Sequence, residues 1–426
     1  MSFTQNRVSP PRALPRLLQG LDATPGPMEL LRHERVHGPL PRLSAERLVE
    51  IVERSGLRGR GGADFPTAIK LRAVAGRRRM SAVVVNGSET EPASLKDHLL
   101  LARLPHLVLD GALLAARAVG AGEVIVKVDQ NAAEPVAALE QAISERDSVE
   151  MPVSLAVGPD GYVTGEETAV IQFLNGGAAK PRFVPPRPFE RGYRNRPTLM
   201  QNPETLAQLA LVARHGDAWY RELGTVADPG SVLVTISGAV AHPGVYELAF
   251  GTPMRDLLEA AGGGIEPLQA LLVGGYFGTW MPAGSIPYLH LAREELNSAG
   301  CSLGAGVIIA LGQSACGLHE SARIADYLAG QSAGQCGPCV HGLAAIAGAF
   351  GAIADGVAHG RERERLLRWC SEVRGRGACH HPNGVVRFVE SALEVFGPDL
   401  ATHGAGPCRA RPAGLPLGPQ VGWHST

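Results

Sequence analysis

The stretch Ser55-Gly-Leu-Arg-Gly-Arg-Gly-Gly-Ala-Asp-Phe-Pro-Thr-Ala-Ile-Lys70 packs four glycines and three cations into one loop-to-helix transition. Gly59, Gly61 and Gly62 carry no Cβ, so the backbone can take positive φ and bring its N–H groups close to an anion, while Arg58, Arg60 and Lys70 supply charge. Pro66 suits the first turn of a helix, whose N-terminus adds a partial positive charge of its own. The stretch reads as a phosphate cradle; taken alone, a mobile Gly-rich turn with solvated arginines is the simpler account.

Outward from the cradle, the neighbouring segments give it a context. Leu48, Ile51 and Val52 fall at helical spacing before it, and Ala82 to Val85 is a short apolar run of strand type that leads into Asn86-Gly87. Leu99 to Val119 reads as a helix and Glu123 to Val128 as the next strand, an order that predicts a doubly wound α/β sheet. Ala132 to Arg146 reads as another helix, and Pro181 to Pro203, with six prolines, as an extended connection. From Ser231 the pattern of strand, turn, strand and short helix at Met254 to Ala261, with a buried strand at Gly304 to Leu311, predicts a small β-grasp-like module. Ala322 to Phe396 is strongly helical. The expected division is an extended segment over 1–40, an α/β domain over 41–225, the β-grasp module over 226–313, a helical domain over 314–400 and a Gly/Pro-rich tail over 401–426.

Composition narrows the function classes. With 426 residues, 45% apolar and 19% charged, the chain is long enough for several domains with their own cores. A net charge of −1 argues against nucleic acid as a partner, which needs a surplus of Lys and Arg on one face. Seven cysteines, and no apolar core of signal-peptide length over Met1 to Leu21, predict a reduced, cytoplasmic protein. The most membrane-like segment, Gly342 to Ala354, is too short to span a bilayer.

Two further segments carry chemistry. Asn86-Gly-Ser-Glu89-Thr-Glu91-Pro-Ala-Ser-Leu-Lys96-Asp97 follows a strand, where α/β sheets place ligand-binding groups, and its carboxylates could bind ribose hydroxyls. Tyr162-Val-Thr-Gly165-Glu166-Glu167-Thr-Ala169 offers a glycine for close backbone approach and two adjacent carboxylates, which could equally serve a helix N-terminus.

In order and spacing, these blocks resemble the NADH-binding flavoprotein subunit of respiratory complex I and its relatives in NAD-reducing hydrogenases and NAD-dependent formate dehydrogenases. The resemblance runs from about Ser55 to about Cys379 and includes Gln201-Asn202-Pro-Glu204-Thr205-Leu206, a module like the family's soluble-ligand-binding β-grasp (SLBB) domain, and the helical cysteine region. It implies a Rossmann-like α/β FMN-binding domain, an SLBB-like domain and a C-terminal helical bundle. It also implies hydride transfer from NAD(P)H to FMN and single-electron exit through an iron–sulfur cluster to a ferredoxin-like or other redox subunit, in a complex that could be membrane-associated through its partners. Carried over by motif, Gly59, Arg60, Gly61, Gly62, Lys70, Asn86, Glu89, Gly165, Glu166, Asn202 and Thr205 would serve FMN, with Phe65 and Glu167 facing the nicotinamide cofactor; Glu89 and Glu167 are the candidate catalytic carboxylates.

The sequence also departs from the pattern. Asp64 stands where the family has a glycine, Ser88 where it has an aspartate, Gln201 where it has an asparagine and Arg187 where it has a phenylalanine. A carboxylate at Asp64 would oppose a diphosphate, and Arg187 could pair with a 2′-phosphate or stack on adenine. Cys336-Gly-Pro-Cys339 with Cys379 resembles the family's cluster ligands, yet Ala333 occupies the first ligand position, leaving three thiolates where a cubane takes four. His341, His380, His381 and Cys408 are candidates for the fourth ligand, while Cys301, Cys316 and Cys370 read as core thiols. A lone Cys-x-x-Cys could also be a zinc or redox pair. The leading expectation is an NAD(P)H:acceptor oxidoreductase; the second is a complex-I-like docking or electron-transfer subunit without NADH turnover.

Overall fold

A computed structural model describes residues 14–21, 26–77, 79–146, 151–357, 361–400, 403, 408, 410 and 413–418. Helices α1 (Leu30–His37), α2 (Ala45–Ser55) and α3 (Thr67–Ala75) lead into strand β1 (Ser81–Gly87). Then follow α4 (Lys96–Arg103), α5 (Pro105–Val119), β2 (Ala121–Asp129), α6 (Ala133–Ser144), β3 (Val153–Gly158), α7 (Glu167–Leu174), α8 (Pro188–Arg191), β4 (Thr198–Gln201) and α9 (Pro203–Arg221). The four strands form a parallel sheet in the order β3-β2-β1-β4.

β1 is central and buried on both faces: Val83 and Val85 join the core with α5 and α9, while Ala82 and Val84 pack on the opposite side with Val170, Ile171 and Met200. Burying each such valine contributes on the order of 1.5–3 kcal/mol. α5 and α9 approach closely because Gly111 has no side chain; a Cβ there would sit 1.9 Å from the Leu206 carbonyl oxygen.

A second, five-stranded sheet runs β6-β5-β9-β7-β8, from β5 (Ser231–Gly238), β6 (Gly244–Ala249), β7 (Leu268–Val273), β8 (Thr279–Pro282) and β9 (Val307–Gly312), with helices α10 (Met254–Ala260) and α11 (Arg293–Ser298). The C-terminal region is helical: α12 (Gly317–Gly330), a π-helical turn Pro338–Leu343, α13 (Ala344–Ala354), α14 (Glu362–Val373) and α15 (His381–Val395) pack around Phe350, Leu366 and Phe388. Residues 413–418 lie over α12, where buried Glu320 accepts backbone N–H bonds from Ala413 (2.9 Å), Gly414 (3.3 Å) and Leu415 (3.2 Å).

Four expectations are corrected. The helix expected over Leu99 to Val119 is two, bent by 94° where Pro105 cannot continue the first. The Pro-rich connection contains α8 and strand β4, which forms because β1 offers it a ladder rather than from any local signal. β3, β7 and β8 had no counterpart in the sequence reading. The lead-in is not wholly extended: α1 buries His33 against Asp110, Nε2 to Oδ2 2.7 Å; the expectation for residues 1–13 and 22–25 lies outside the described residues. Among the described residues no single helix is long and apolar enough to cross a membrane, and the bent pair α4–α5, apolar enough by composition, is largely buried in the core.

Candidate functional site at the strand ends

The parallel register sets Val85 of β1 beside Gln201 of β4, so Asn86 and Asn202 emerge next to each other at the carboxyl ends of adjacent strands. The cradle loop packs on this edge. Its shape is fixed by Gly59 N–H donating to the Phe65 carbonyl (2.8 Å) and by Arg60 N–H donating to Thr205 Oγ1 (2.9 Å). Gly61 lies against Asn202, where a Cβ would stand 3.3 Å from the asparagine's own, whereas Gly62 has φ +97° and a Cβ there would be in ordinary contact, 3.8 Å from Gly304 and Ala305. The two glycines are needed for different reasons, Gly61 for room and Gly62 for conformation.

The Tyr162–Glu167 loop closes the other side. Asn86 Nδ2 donates to the Gly165 carbonyl at 2.8 Å, and a Cβ at Gly165 would meet Thr90 at 2.8 Å. Glu166 caps α7 by accepting from Thr168 N (2.8 Å) and Ala169 N (3.2 Å), and burial raises its pKa. Lys70 Nζ lies 3.4 Å from the Met200 carbonyl and 3.6 Å from Glu167 Oε1, joining α3, β4 and α7. Phe65, 43% exposed, stands at the rim.

Glu89 is engaged at the start of α4. Its carboxylate accepts from Asp97 N (3.0 Å), Ser94 Oγ (2.5 Å) and His98 N (2.7 Å), so it holds the start of α4, and burial raises its pKa. Glu89 thus positions the start of α4. Ser88, where an aspartate was expected, accepts from the buried Lys127 Nζ at 2.6 Å, and Lys127 also pairs with Asp129.

A charged cluster missed in the sequence lies beneath. Lys96 is buried with Nζ 3.0 Å from Asp97 and 2.9 Å from Glu204, and Asp97 accepts from Asn202 Nδ2 at 2.6 Å. Burial opposes the Lys96 ammonium, but Asp97 and Glu204 outweigh it and hold the pKa above its ordinary value. Behind the cradle, a cleft of about 260 Å³ is lined by Gly59, Arg60, Gly62, Lys96, Glu204 and Arg293; of the candidate residues it takes Gly59, Arg60 and Gly62. Asp64, at φ +47°, does not stand alone there: its Oδ2 accepts from Arg58 Nε at 2.8 Å and lies 3.3 Å from Arg293, so the expected repulsion of a diphosphate is neutralised.

The cysteines gather nearby. Cys336 is half-buried before the π-helical turn, Cys339 is buried within it and hydrogen-bonded to Cys336, and Cys379, close enough to Cys336 and Glu166 to feel their charge, accepts the His381 amide. Burial pushes the Cys339 thiol up to about 12, so a bound metal is what would make it a thiolate. Ala333, 4% exposed, offers no ligand atom. His341 and His380 are exposed; His381 is buried, with Nε2 2.8 Å from the Leu328 carbonyl and Nδ1 without a partner among the described residues. Cys408 lies elsewhere, beside Cys316.

The chain matches the Nuo51 FMN-binding domain over residues 52–211, the SLBB domain over 233–275 and the NADH-ubiquinone oxidoreductase-F iron-sulfur binding region over 319–403. It is 31% identical over 376 residues to the F-type subunit (number 2) of the NADH-quinone oxidoreductase of Rhizobium meliloti (strain 1021), covering 84% of this chain and 89% of that one. This chain belongs to the family of NADH-quinone oxidoreductase F subunits. The corresponding F-type protein of Escherichia coli (strain K12) is 30% identical over 387 residues, covering 85% of this chain and 86% of the relative. Among solved structures, an NAD+-reducing NiFe-hydrogenase in its H2-reduced state superposes with a TM-score of 0.79 at 32% identity, over 87% of this chain and 64% of the hydrogenase chain. The fold is thus the expected α/β FMN-binding domain with an SLBB domain and a helical iron–sulfur region, and its cofactors are FMN and an iron–sulfur cluster.

The strand-end residues fit FMN: a loop with one position tight for a Cβ and one requiring positive φ, two asparagines at adjacent strand ends and a lysine bonded to the strand that precedes one of them. The three cysteines fit an iron–sulfur cluster by their donor chemistry, with one position not supplied by sulfur.

Glu91, whose carboxylate the sequence offers for ribose hydroxyls, instead ties these parts together. It is buried, accepts from Tyr162 Oη at 2.7 Å and from Tyr276 N at 2.8 Å, and burial raises its pKa to about 7. Glu89, Tyr162, Tyr276 and Tyr327 surround it, and none is a cation. Because the folded pKa exceeds the unfolded one, the native state binds more protons between pH 4.5 and 7, and this group's contribution to stability falls as pH rises through that window, by about 3 kcal/mol in all. Glu91→Gln removes the titration. Thermal unfolding from pH 5 to 8 should show the variant gaining on the wild type as pH rises; parallel curves would contradict the assignment.

Proposed function

We propose that the chain is a flavin-dependent subunit that takes hydride from NAD(P)H and delivers single electrons to a ferredoxin-like or other redox partner subunit. The observation that carries this reading is the position of the Tyr162–Glu167 loop. On one side Gly165 is bonded to Asn86 at the strand ends; on the other, Tyr162 N–H donates to Gln331 Oε1 at 2.9 Å and Glu166 lies in the field of Cys379. Gln335 Nε2, next to Cys336, adds a bond of 2.6 Å to the Pro181 carbonyl. Flavin-side and cluster-side residues thus share one short segment.

FMN supplies the conversion between two-electron and one-electron chemistry, and the protein supplies orientation. Gly61 and Gly62 admit the phosphate with Lys70 nearby, Asn86 and Asn202 present amides at the strand ends, and Thr205 fixes the cradle through the Arg60 amide. Glu167, paired with Lys70, and the exposed Phe65 are the residues that would meet a nicotinamide ring at the rim. Arg187, exposed ahead of α8, is the group for an adenine or 2′-phosphate.

Anaerobic titration of the purified holoprotein tests the reading: the flavin absorbance should bleach on addition of NADH or NADPH, and should recover when an oxidised ferredoxin is supplied. A flavin-loaded protein that neither cofactor reduces would replace this reading with that of a docking or electron-transfer subunit.

A further inference from the structure

Two cysteines and two histidines other than Cys336, Cys339 and Cys379 converge on one point. Cys316, His319, His403 and Cys408 place one ligand atom each so that all four lie within 4.8 Å of one another. Cys316 Sγ is 3.3 Å from His403 Nε2 and is also hydrogen-bonded to Cys408. None of these residues is among Cys336, Cys339 and Cys379, and Cys316, read from sequence as a core thiol, is here the first residue of a second constellation.

We propose that Cys316, His319, His403 and Cys408 form a structural zinc site that fastens the C-terminal tail to the helical domain. The chain supplies the ligands as Cys-x-x-His at the start of α12 and His-x-x-x-x-Cys in the tail, short paired spacings of the kind closed zinc sites use. Two sulfurs and two imidazoles are the donor set of a tetrahedral Zn²⁺, whose bond lengths of about 2.0–2.3 Å put ligand atoms roughly 3.3–3.8 Å apart. The 3.3 Å contact already matches.

One of the two imidazoles is oriented by a backbone carbonyl. His403 Nδ1 lies 2.5 Å from the Ala354 carbonyl, which fixes the proton on Nδ1 and leaves the Nε2 lone pair toward Cys316. His319 has the Asp355 carboxylate 3.9 Å from its Nδ1, near but beyond hydrogen-bond range. Cys316 Sγ accepts the His319 amide at 3.4 Å, the bond a thiolate capping a helix would use. A disulfide between Cys316 and Cys408 would account for the sulfurs but not for the two imidazoles whose ring nitrogens lie within 4.8 Å of them.

Four protein ligands leave no open position, so the site is structural rather than catalytic. Beyond it, residues 413–418 lie over α12 and against the SLBB side: Arg323 Nη2 donates to the Leu415 carbonyl at 2.5 Å and Tyr276 Oη donates to the Pro416 carbonyl. Tyr276 is the residue whose N–H holds Glu91, so the fastened tail backs the same region that links the SLBB and FMN-binding domains.

Elemental analysis of the full-length holoprotein, expressed with zinc supplied, decides the matter. About one zinc per chain is expected in the wild type and in Cys336→Ser, falling to near zero in Cys408→Ser and His403→Ala while iron stays at the wild-type level. Replacing zinc with Co²⁺ in the wild type gives a readout independent of any variant: tetrahedral cobalt bands with sulfur-to-cobalt charge transfer are expected. Zinc below a tenth of an equivalent in the wild type, zinc unchanged in Cys408→Ser and His403→Ala, iron lost in place of zinc in those variants, or a Cys316–Cys408 disulfide in metal-free protein would each overturn the proposal.

Discussion

Gly61→Val folds but retains less than about a tenth of the wild-type FMN. The position lies where the cradle loop meets Asn202, and even a bare Cβ would stand 3.3 Å from the Asn202 Cβ, tighter than ordinary contact. Valine adds two γ carbons that must point into the strand-end space or push the loop away from Thr205, to which the adjacent Arg60 amide is bonded at 2.9 Å. Either displacement removes the close approach that phosphate needs. The rest of the domain is held by the β1 core and by α5 against α9, neither of which Gly61 touches. Gly62→Ala is the informative contrast. Its φ of +97° imposes strain of about 1–2 kcal/mol on any L-residue, while the nearest heavy atoms stand 3.8 Å from the added Cβ. It should lower the unfolding temperature more than the flavin content. Flavin released by heating and measured by fluorescence, beside circular dichroism of the same samples, separates the two; full flavin in folded Gly61→Val would remove the cradle from the site.

Cys336→Ser should lose the iron–sulfur cluster while keeping flavin. The wild-type set holds three thiols, and removing the one hydrogen-bonded to Cys339 leaves two. The opposite change is as informative. Ala333 is 4% exposed in the first ligand position of the motif, so Ala333→Cys adds a sulfur at that position. An anionic thiolate in place of a neutral ligand lowers the reduction potential, and the variant's cluster should be harder to reduce than the wild type's. His381 is the neutral candidate, because its Nδ1 is buried and unpartnered among the described residues while Nε2 meets the Leu328 carbonyl. Iron and sulfide analysis with electron paramagnetic resonance in a potentiometric titration reads both variants, with His381→Ala beside them. A wild-type protein without iron after reconstitution, or an unaltered potential in Ala333→Cys with iron content unchanged, would contradict the ligand assignment.

The cradle was legible because its constraints are local. A dense run of glycines before a proline at a helix start states in the sequence that backbone must come close to something, and Gly59, Gly61 and Gly62 are where the chain turns against Thr205 and Asn202. The same holds for strand β1, whose run of small and branched apolar residues fits a strand buried on both faces. Strand β4 was not legible: Thr198–Gln201 sits in a proline-rich stretch with no period of its own and becomes a strand because β1 presents an open ladder. The bonds that Glu89 makes were not legible for a related reason. A carboxylate in a loop looks available until the start of α4 folds over it and takes its oxygens with the amides of Asp97 and His98.

By itself the sequence determined the family, the order of the three domains and the residue types at the flavin and cluster positions, since these rest on steric requirements and donor chemistry that a residue carries wherever it is placed. The tertiary structure decided which partner each of those residues meets. Glu91 sits 185 positions from the Tyr276 amide that holds it, Arg60 is 145 from Thr205, and Cys316 is 87 from His403. No periodicity spans such distances. Those pairings exist only once the sheets and helices have packed, because packing brings the groups within bonding range and strips them of the water that would otherwise satisfy each one separately.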